Sequence, residues 1–157
     1  MVHTFSEDTD GSTLAIAIAV ARFNNLITER MLAACLAGLA GQGVSTERTV
    51  VAWVPGAFEL PYVARRFAES GRYDAVVCLG CVIQGETTHN EYINQQVSRG
   101  VSDVARDTGV PTIFGVITPR NVDQALARAG EGKANKGYEA ALAAIVMANL
   151  RRRLRED

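Results

Sequence analysis

The residues best suited to chemistry gather between Tyr73 and Glu91, in the stretch YDAVVCLGCVIQGETTHNE. Asp74 to Leu79 is almost unbroken apolar sequence rich in valine, which predicts a parallel strand buried on both faces. Gly80 and Gly85 then read as the brackets of a short loop where backbone can approach a ligand closely. Thr88 and Glu91 have the spacing of a capping box, so a helix is predicted to begin at Thr88. The unpaired N–H groups of a first helical turn, at the positive end of the helix dipole, form an anion site. Gly85, Glu86 and Thr87 lead into that turn and His89 is the first residue inside it. A histidine in that place is a candidate proton acceptor standing beside a bound phosphate.

Two more stretches belong with this one. Arg22-Phe23-Asn24-Asn25 follows the first predicted strand, and Pro55-Gly56-Ala57-Phe58-Glu59 follows the second. Ligands of open α/β sheets bind beyond the carboxyl ends of the strands, so these three loops should meet on one rim. Phe23 and Phe58 can stack on a ring, and Glu59 can accept hydrogen bonds from hydroxyl groups. The set suits a flat heteroaromatic ligand with a polyol arm and a phosphate-bearing partner. Each residue also has a plainer reading. A Phe after a strand is more often core, a Glu in a first turn satisfies the helix dipole, and His89 alone is evenly balanced between capping and catalysis. Convergence of the three loops favours the functional reading.

Other chemistries lack their residues. Cys78 and Cys81 have the spacing of a redox or zinc pair, but no second Cys or His pair accompanies them and Cys78 falls inside a strand. With Cys35 they read as small apolar residues in a reducing cytosol. Gly80 to Gly85 is not followed by the Lys-Ser/Thr of a triphosphate-binding loop, and the first βα turn lacks GxGxxG. There is no GxSxG elbow, and no metal-type cluster of His and carboxylate residues. The turn after strand one also lacks the clustered acids of a phosphoacceptor domain. Sixteen basic and seventeen acidic residues nearly cancel, which gives no broad electrostatic case for nucleic acid or membrane. No apolar run is long enough to span a bilayer, and the first residues lack the apolar core of a secretory signal.

The elements that must position these residues follow from periodicity. The chain has 157 residues, suited to one core. Residues 1–12 are polar and acidic and are expected to form a flexible tail ahead of one domain over 13–157. Strands are predicted at Leu14 to Val20, Thr49 to Val54, Asp74 to Leu79 and Pro111 to Ile117. Between them, Asn24 or Asn25 can cap a helix whose apolar residues run from Leu26 to Leu39, ended by Gly41 and Gly43. Phe58 to Glu69 reads as the second helix, with Pro61 tolerable in its first turn. Ile93, Val97, Val101 and Val104 form one face of the third, which stops at Gly109. Asn121 starts a fourth, and an alanine-rich fifth runs from about Tyr138 to Leu154. The terminal RRRLRED reads as a solvated helix end whose arginines suit the dipole. Strand–helix alternation predicts a three-layer α/β sandwich around a four-stranded parallel sheet, flavodoxin-like in class.

In order along the chain, ARFNNLITERML, VAWVPGAFELP, YDAVVCLGCVIQGETTHNEYI, GVPTIFGVIT and NVDQALARAG with NKGYEAA resemble the lumazine synthase family. The resemblance covers nearly everything after residue 13. It implies condensation of 5-amino-6-(D-ribitylamino)uracil with 3,4-dihydroxy-2-butanone 4-phosphate to 6,7-dimethyl-8-ribityllumazine, a riboflavin-pathway transferase step with neither cofactor nor metal. It implies that Phe23 stacks on the pyrimidine, that Ala57, Phe58 and Glu59 line the substrate, and that Cys81, Val82 and Ile83 meet the ring edge. Glu86 and Thr87 would hold phosphate through backbone N–H groups, and His89 would shuttle protons. Phe114, Arg128 and Lys136 would come from the adjacent subunit, Arg128 gripping phosphate and Lys136 standing near the ribityl chain. Gln84 stands where many members carry a basic residue. The family implies a cytoplasmic homopentamer, in some members an icosahedral shell of twelve pentamers, and association with riboflavin synthase. A binding protein that stores a lumazine or flavin without turnover is the rival reading; it would need neither His89 nor Arg128.

Overall fold

The computed structural model describes residues 1–156. Four strands, β1 (Ile16–Ala21), β2 (Thr49–Val54), β3 (Ala75–Cys81) and β4 (Thr112–Ile117), form one sheet in the order β2-β1-β3-β4. All neighbours are parallel. Five helices accompany them: α1 (Asn25–Gly41), α2 (Leu60–Glu69), α3 (His89–Thr108), α4 (Val122–Arg128) and α5 (Lys136–Glu156). The result is the three-layer, flavodoxin-like α/β sandwich that the alternation predicts.

The pleat of β1 sorts residues by size. Ile16, Ile18 and Val20 face the layer of α1, α4 and α5, together with Val77 and Leu79 of β3. Ala17, Ala19 and Ala21 face the layer of α2 and α3. Alternate side chains of a strand point to opposite faces, so one strand presents a bulky surface to one layer and a flat one to the other. The flat side lets α2 and α3 lie close, and Pro61 of α2 occupies the space a side chain at Gly100 of α3 would need. Between α1 and α5 the contact is closer still. Gly38 leaves room for Ala141, and a Cβ built on Gly137 would overlap the Met31 carbonyl oxygen. That explains the alanine-rich last helix: Ala140, Ala141, Ala144 and Ala148 are buried because small residues permit near contact of backbones.

Several expectations are corrected. β1 begins two residues later than Leu14; its entry is fixed by Asp74, whose N–H donates to the Ala15 carbonyl while its carboxylate accepts from Ala15 N–H. β3 runs on to Cys81, so Gly80 is a strand residue and not a loop bracket. A side chain there would press on Leu60 at 3.2 Å, so that glycine serves α2 packing. A 3₁₀ turn over Ala57–Glu59 precedes α2 and takes the place of its predicted first turn. The capping box does not form. Thr88 sits at φ −82° and ψ 9° with no side-chain cap bond, and the Thr87 hydroxyl accepts from His89 N–H instead, at 3.3 Å. An N-cap side chain reaches its donors from extended backbone, which Thr88 does not adopt. The terminal arginines are not all solvated. Arg152 pairs with Asp74 at 3.1 Å, and Arg153 donates to the Ser6 carbonyl. Asn149 donates to the Asp8 and Asp10 carbonyls, which lays the acidic first residues along α5.

Cys35, Cys78 and Cys81 are free and buried. Burial pushes the thiols of Cys35 and Cys78 up to about 12 and that of Cys81 to about 11. The folded chain therefore keeps these protons above pH 9.0, where an unfolded thiol begins to release them. Their contribution is constant below that pH and turns against the fold as pH rises past it. Thiol-directed reagents at pH 8 are expected to leave the native protein unlabelled and to modify it once denatured; fast native labelling would contradict the burial. Gly137→Ala is expected to cost on the order of 2 kcal/mol by forcing α1 and α5 apart, read as a lower denaturation midpoint at unchanged slope.

Candidate active site

The two central strands do not stay together. β1 pairs with β3 only as far as Val20 and Leu79. Beyond that, the exit of β1 follows β2: Arg22 N–H donates to the Val54 carbonyl at 2.7 Å and Phe23 N–H to the Pro55 carbonyl at 3.0 Å. The exit of β3 follows β4: Val82 N–H donates to the Ile117 carbonyl at 2.9 Å and Gln84 N–H to the Pro119 carbonyl at 3.0 Å. The sheet forks between β1 and β3, where the direction of winding reverses, which is where open α/β sheets bind ligands.

A cavity of about 460 Å³ is lined from both branches of the fork. Phe23 comes from the β1 exit, Pro55 to Glu59 from the β2 exit, and Cys81, Val82, Ile83, Gly85 and Thr87 from the β3 exit. His89, Asn90 and Ile93 come from the first turns of α3. The phenyl rings settle the question left by the sequence. Phe23 is 71% and Phe58 60% exposed, so neither ring belongs to the core. His89 is exposed as well. The N–H groups of Gly85, Glu86, Thr87 and Thr88 have no protein acceptor among the described residues. They lie immediately ahead of a twenty-residue helix, so unspent donors and the positive end of the dipole coincide.

Four expected residues lie elsewhere. Glu86 is exposed and lines no part of the cavity. Phe114, Arg128 and Lys136 gather on a different surface, a depression of about 550 Å³ along β4 and the start of α5. β4 is an edge strand with β3 as its one neighbour, and Phe114 on it is 44% exposed. Lys136 pairs with Glu139 at 2.9 Å. Arg128, exposed at the end of α4, has no carboxylate partner among the described residues. One chain thus carries an apolar pocket with an imidazole and a separate cationic surface with an exposed ring. Asn90 and Ile93 were not expected in the pocket. Ile93 lies one helical turn from His89, so the i,i+4 relation places both on one face. Its apolar character assigned it to the core stripe with Val97.

The cavity offers ring faces, a carboxylate, a proton carrier and an anion cradle, with no nucleophile of raised reactivity: its one thiol, Cys81, is held protonated by burial. Among the described residues no three His, Cys, Asp or Glu side chains assemble as a metal site would require, and no helix is long and apolar enough to cross a membrane. A family model described as 6,7-dimethyl-8-ribityllumazine synthase matches residues 13–152, a span that takes in every residue lining the pocket and the β4 surface. A match of that extent over both surfaces places the chain in the 6,7-dimethyl-8-ribityllumazine synthase family, whose chemistry belongs to riboflavin biosynthesis.

Proposed function

We propose that the chain condenses 5-amino-6-(D-ribitylamino)uracil with 3,4-dihydroxy-2-butanone 4-phosphate to give 6,7-dimethyl-8-ribityllumazine, phosphate and water. The observation that carries this reading is the fork pocket, where two solvent-exposed phenyl rings, Glu59 and His89 share one opening with Gly85 and Thr87, whose N–H groups are unspent. The pyrimidine lies against Phe23, and its ribityl arm runs toward Glu59 and the backbone of Ala57 and Phe58. Cys81, Val82 and Ile83 face the ring edge. The phosphate of the second substrate takes the N–H groups of Glu86 and Thr87, with the Glu86 carboxylate turned to solvent.

The chemistry needs proton traffic more than a nucleophile. The 5-amino group of the pyrimidine attacks the ketone, and loss of water leaves an imine. Phosphate departs by elimination, and the ribityl-bearing nitrogen closes the ring with loss of a second water. His89 takes a proton from the attacking nitrogen and returns it to the leaving oxygen, a role worth roughly 10²–10⁴ in rate. Holding both reactants in one pocket supplies much of the remainder.

Arg128, Lys136 and Phe114 lie on another surface of the same chain, so they complete the pocket of a neighbouring copy. Arg128 then faces the departing phosphate, where a guanidinium stabilises the developing dianion, and Lys136 approaches the ribityl chain. A contact between two different surfaces is heterologous, and rotation closes it into a ring. Such rings are the homopentamers this reading expects.

With both substrates present, lumazine absorbance and phosphate are expected to rise in equal amounts; ring binding without phosphate release would favour storage. His89→Ala should lower kcat roughly 100-fold while leaving the rings intact, and disassembly would make His89 structural. Arg128→Ala should act chiefly on KM for the ketone phosphate. Equimolar co-assembly of these two impaired variants should restore wild-type kinetics at about a quarter of the sites, because a quarter of random neighbour pairs in a closed ring keep both residues. No recovery from mixed rings would place both groups in one protomer's site.

A further inference from the structure

We infer that Asn24 is a positioning residue that sets the width of the fork, and so the fit of the ring-bearing substrate. Asn24 is the one non-glycine residue with positive φ among the described residues, at φ 62° and ψ 41°. That left-handed conformation is disfavoured for residues with a Cβ, least so for asparagine. Its carbonyl starts α1 by accepting from the N–H groups of Ile27 and Thr28 at 2.9 and 3.1 Å. Its side chain, however, caps nothing in that helix. It reaches across the fork instead, donating from Nδ2 to the Cys81 carbonyl at 2.8 Å.

The bond replaces one the sheet cannot make. β1 ends its pairing with β3 at Val20 and Leu79. The next N–H groups on the β1 branch, those of Arg22 and Phe23, are given to β2. The Cys81 carbonyl therefore has no strand donor from the β1 side, and the Asn24 amide supplies it. Phe23 immediately precedes this bridge on one branch, while Val82 and Ile83 immediately follow it on the other; all three line the pocket. The gap into which a flat ring slides is thus held by one amide, fixed at one end by a left-handed turn. His89 and the N–H groups ahead of α3 follow beyond Gln84, whose N–H is tied to the Pro119 carbonyl of the β4 exit, so proton transfer and phosphate binding are expected to change little when the bridge is lost.

The inference rests on the function proposed above. Two variants test it, because they remove the bridge in opposite ways. Asn24→Asp keeps the size and the tolerance for left-handed backbone but cannot donate to a carbonyl as a carboxylate. Asn24→Gly relaxes the backbone and deletes the side chain. Both are expected to raise KM for the ribitylaminouracil roughly fivefold, the worth of one hydrogen bond, with kcat and KM for the ketone phosphate within about twofold of wild type. Active wild-type protein with both variants unchanged overturns this inference alone. So does an Asn24→Asp protein in which kcat falls and both KM values rise together, since Asn24 would then support the fold and not the gap. Wild-type protein that forms no lumazine overturns the functional reading, and this inference with it.

Discussion

β1 and β3 share five registered pairs, from Ile16–Ala75 to Val20–Leu79, and then separate. Every backbone N–H and carbonyl at the separating ends must still find a partner, because buried polar groups left unpaired are costly. The outer strands provide most of them, β2 for the β1 exit and β4 for the β3 exit. The pocket is the space this redistribution opens; each branch stays bonded to an outer strand, and the Asn24 amide spans the gap between them. Loops on a scaffold of this kind can hold exposed rings in place, as they do Phe23 and Phe58, without burying them.

The division of small and large residues in β1 serves the same end. Bulky Ile16, Ile18 and Val20 build one core with α1 and α5; Ala17, Ala19 and Ala21 let α2 and α3 come down onto the sheet. Close seating of those two helices fixes where their first turns fall. Leu60 approaches Gly80, so the 3₁₀ turn carrying Phe58 and Glu59 sits directly at the strand exits. Pro61 against Gly100 fixes α3 relative to α2, and α3 carries His89. Packing deep in the molecule thereby sets the relative placement of a carboxylate and an imidazole that come from different elements.

Periodicity made the elements legible. β2 spans the residues its pattern predicts, and the face of α3 through Val97, Val101 and Val104 is buried as expected up to the left-handed stop at Gly109. What sequence could not resolve were choices decided by distant partners. Nothing local tells whether Gly80 admits a ligand or a leucine. Thr88 and Glu91 have capping-box spacing, yet the turn before α3 leaves Thr88 outside the extended region that box needs. Asn24 carries the composition of a helix cap and spends its amide on a carbonyl 57 positions away. The pocket residues were legible because they crowd the strand exits, a place fixed by topology alone. Ile93 was not, because an apolar residue in an amphipathic helix reads first as core, and nothing local set Asn90 apart.

The separation of Arg128 from the pocket has a physical sense of its own. A single chain presents Phe23, Phe58 and His89 to solvent, and a wet pocket weakens every charge-assisted contact inside it. Condensation that expels water gains from a site that closes. On the proposed reading, one docking event supplies Arg128 and Phe114 and at the same time covers the exposed rings. Apolar area removed from water at roughly 25 cal/mol per Å² favours such a contact, so on that reading the phenyl groups proposed to receive the pyrimidine would also favour the assembly. A guanidinium built permanently into the fork would instead compete for the Glu59 carboxylate in the resting chain. On the proposed reading it sits on a neighbour's α4, which would keep the two charges on separate surfaces of each protomer until a ring forms.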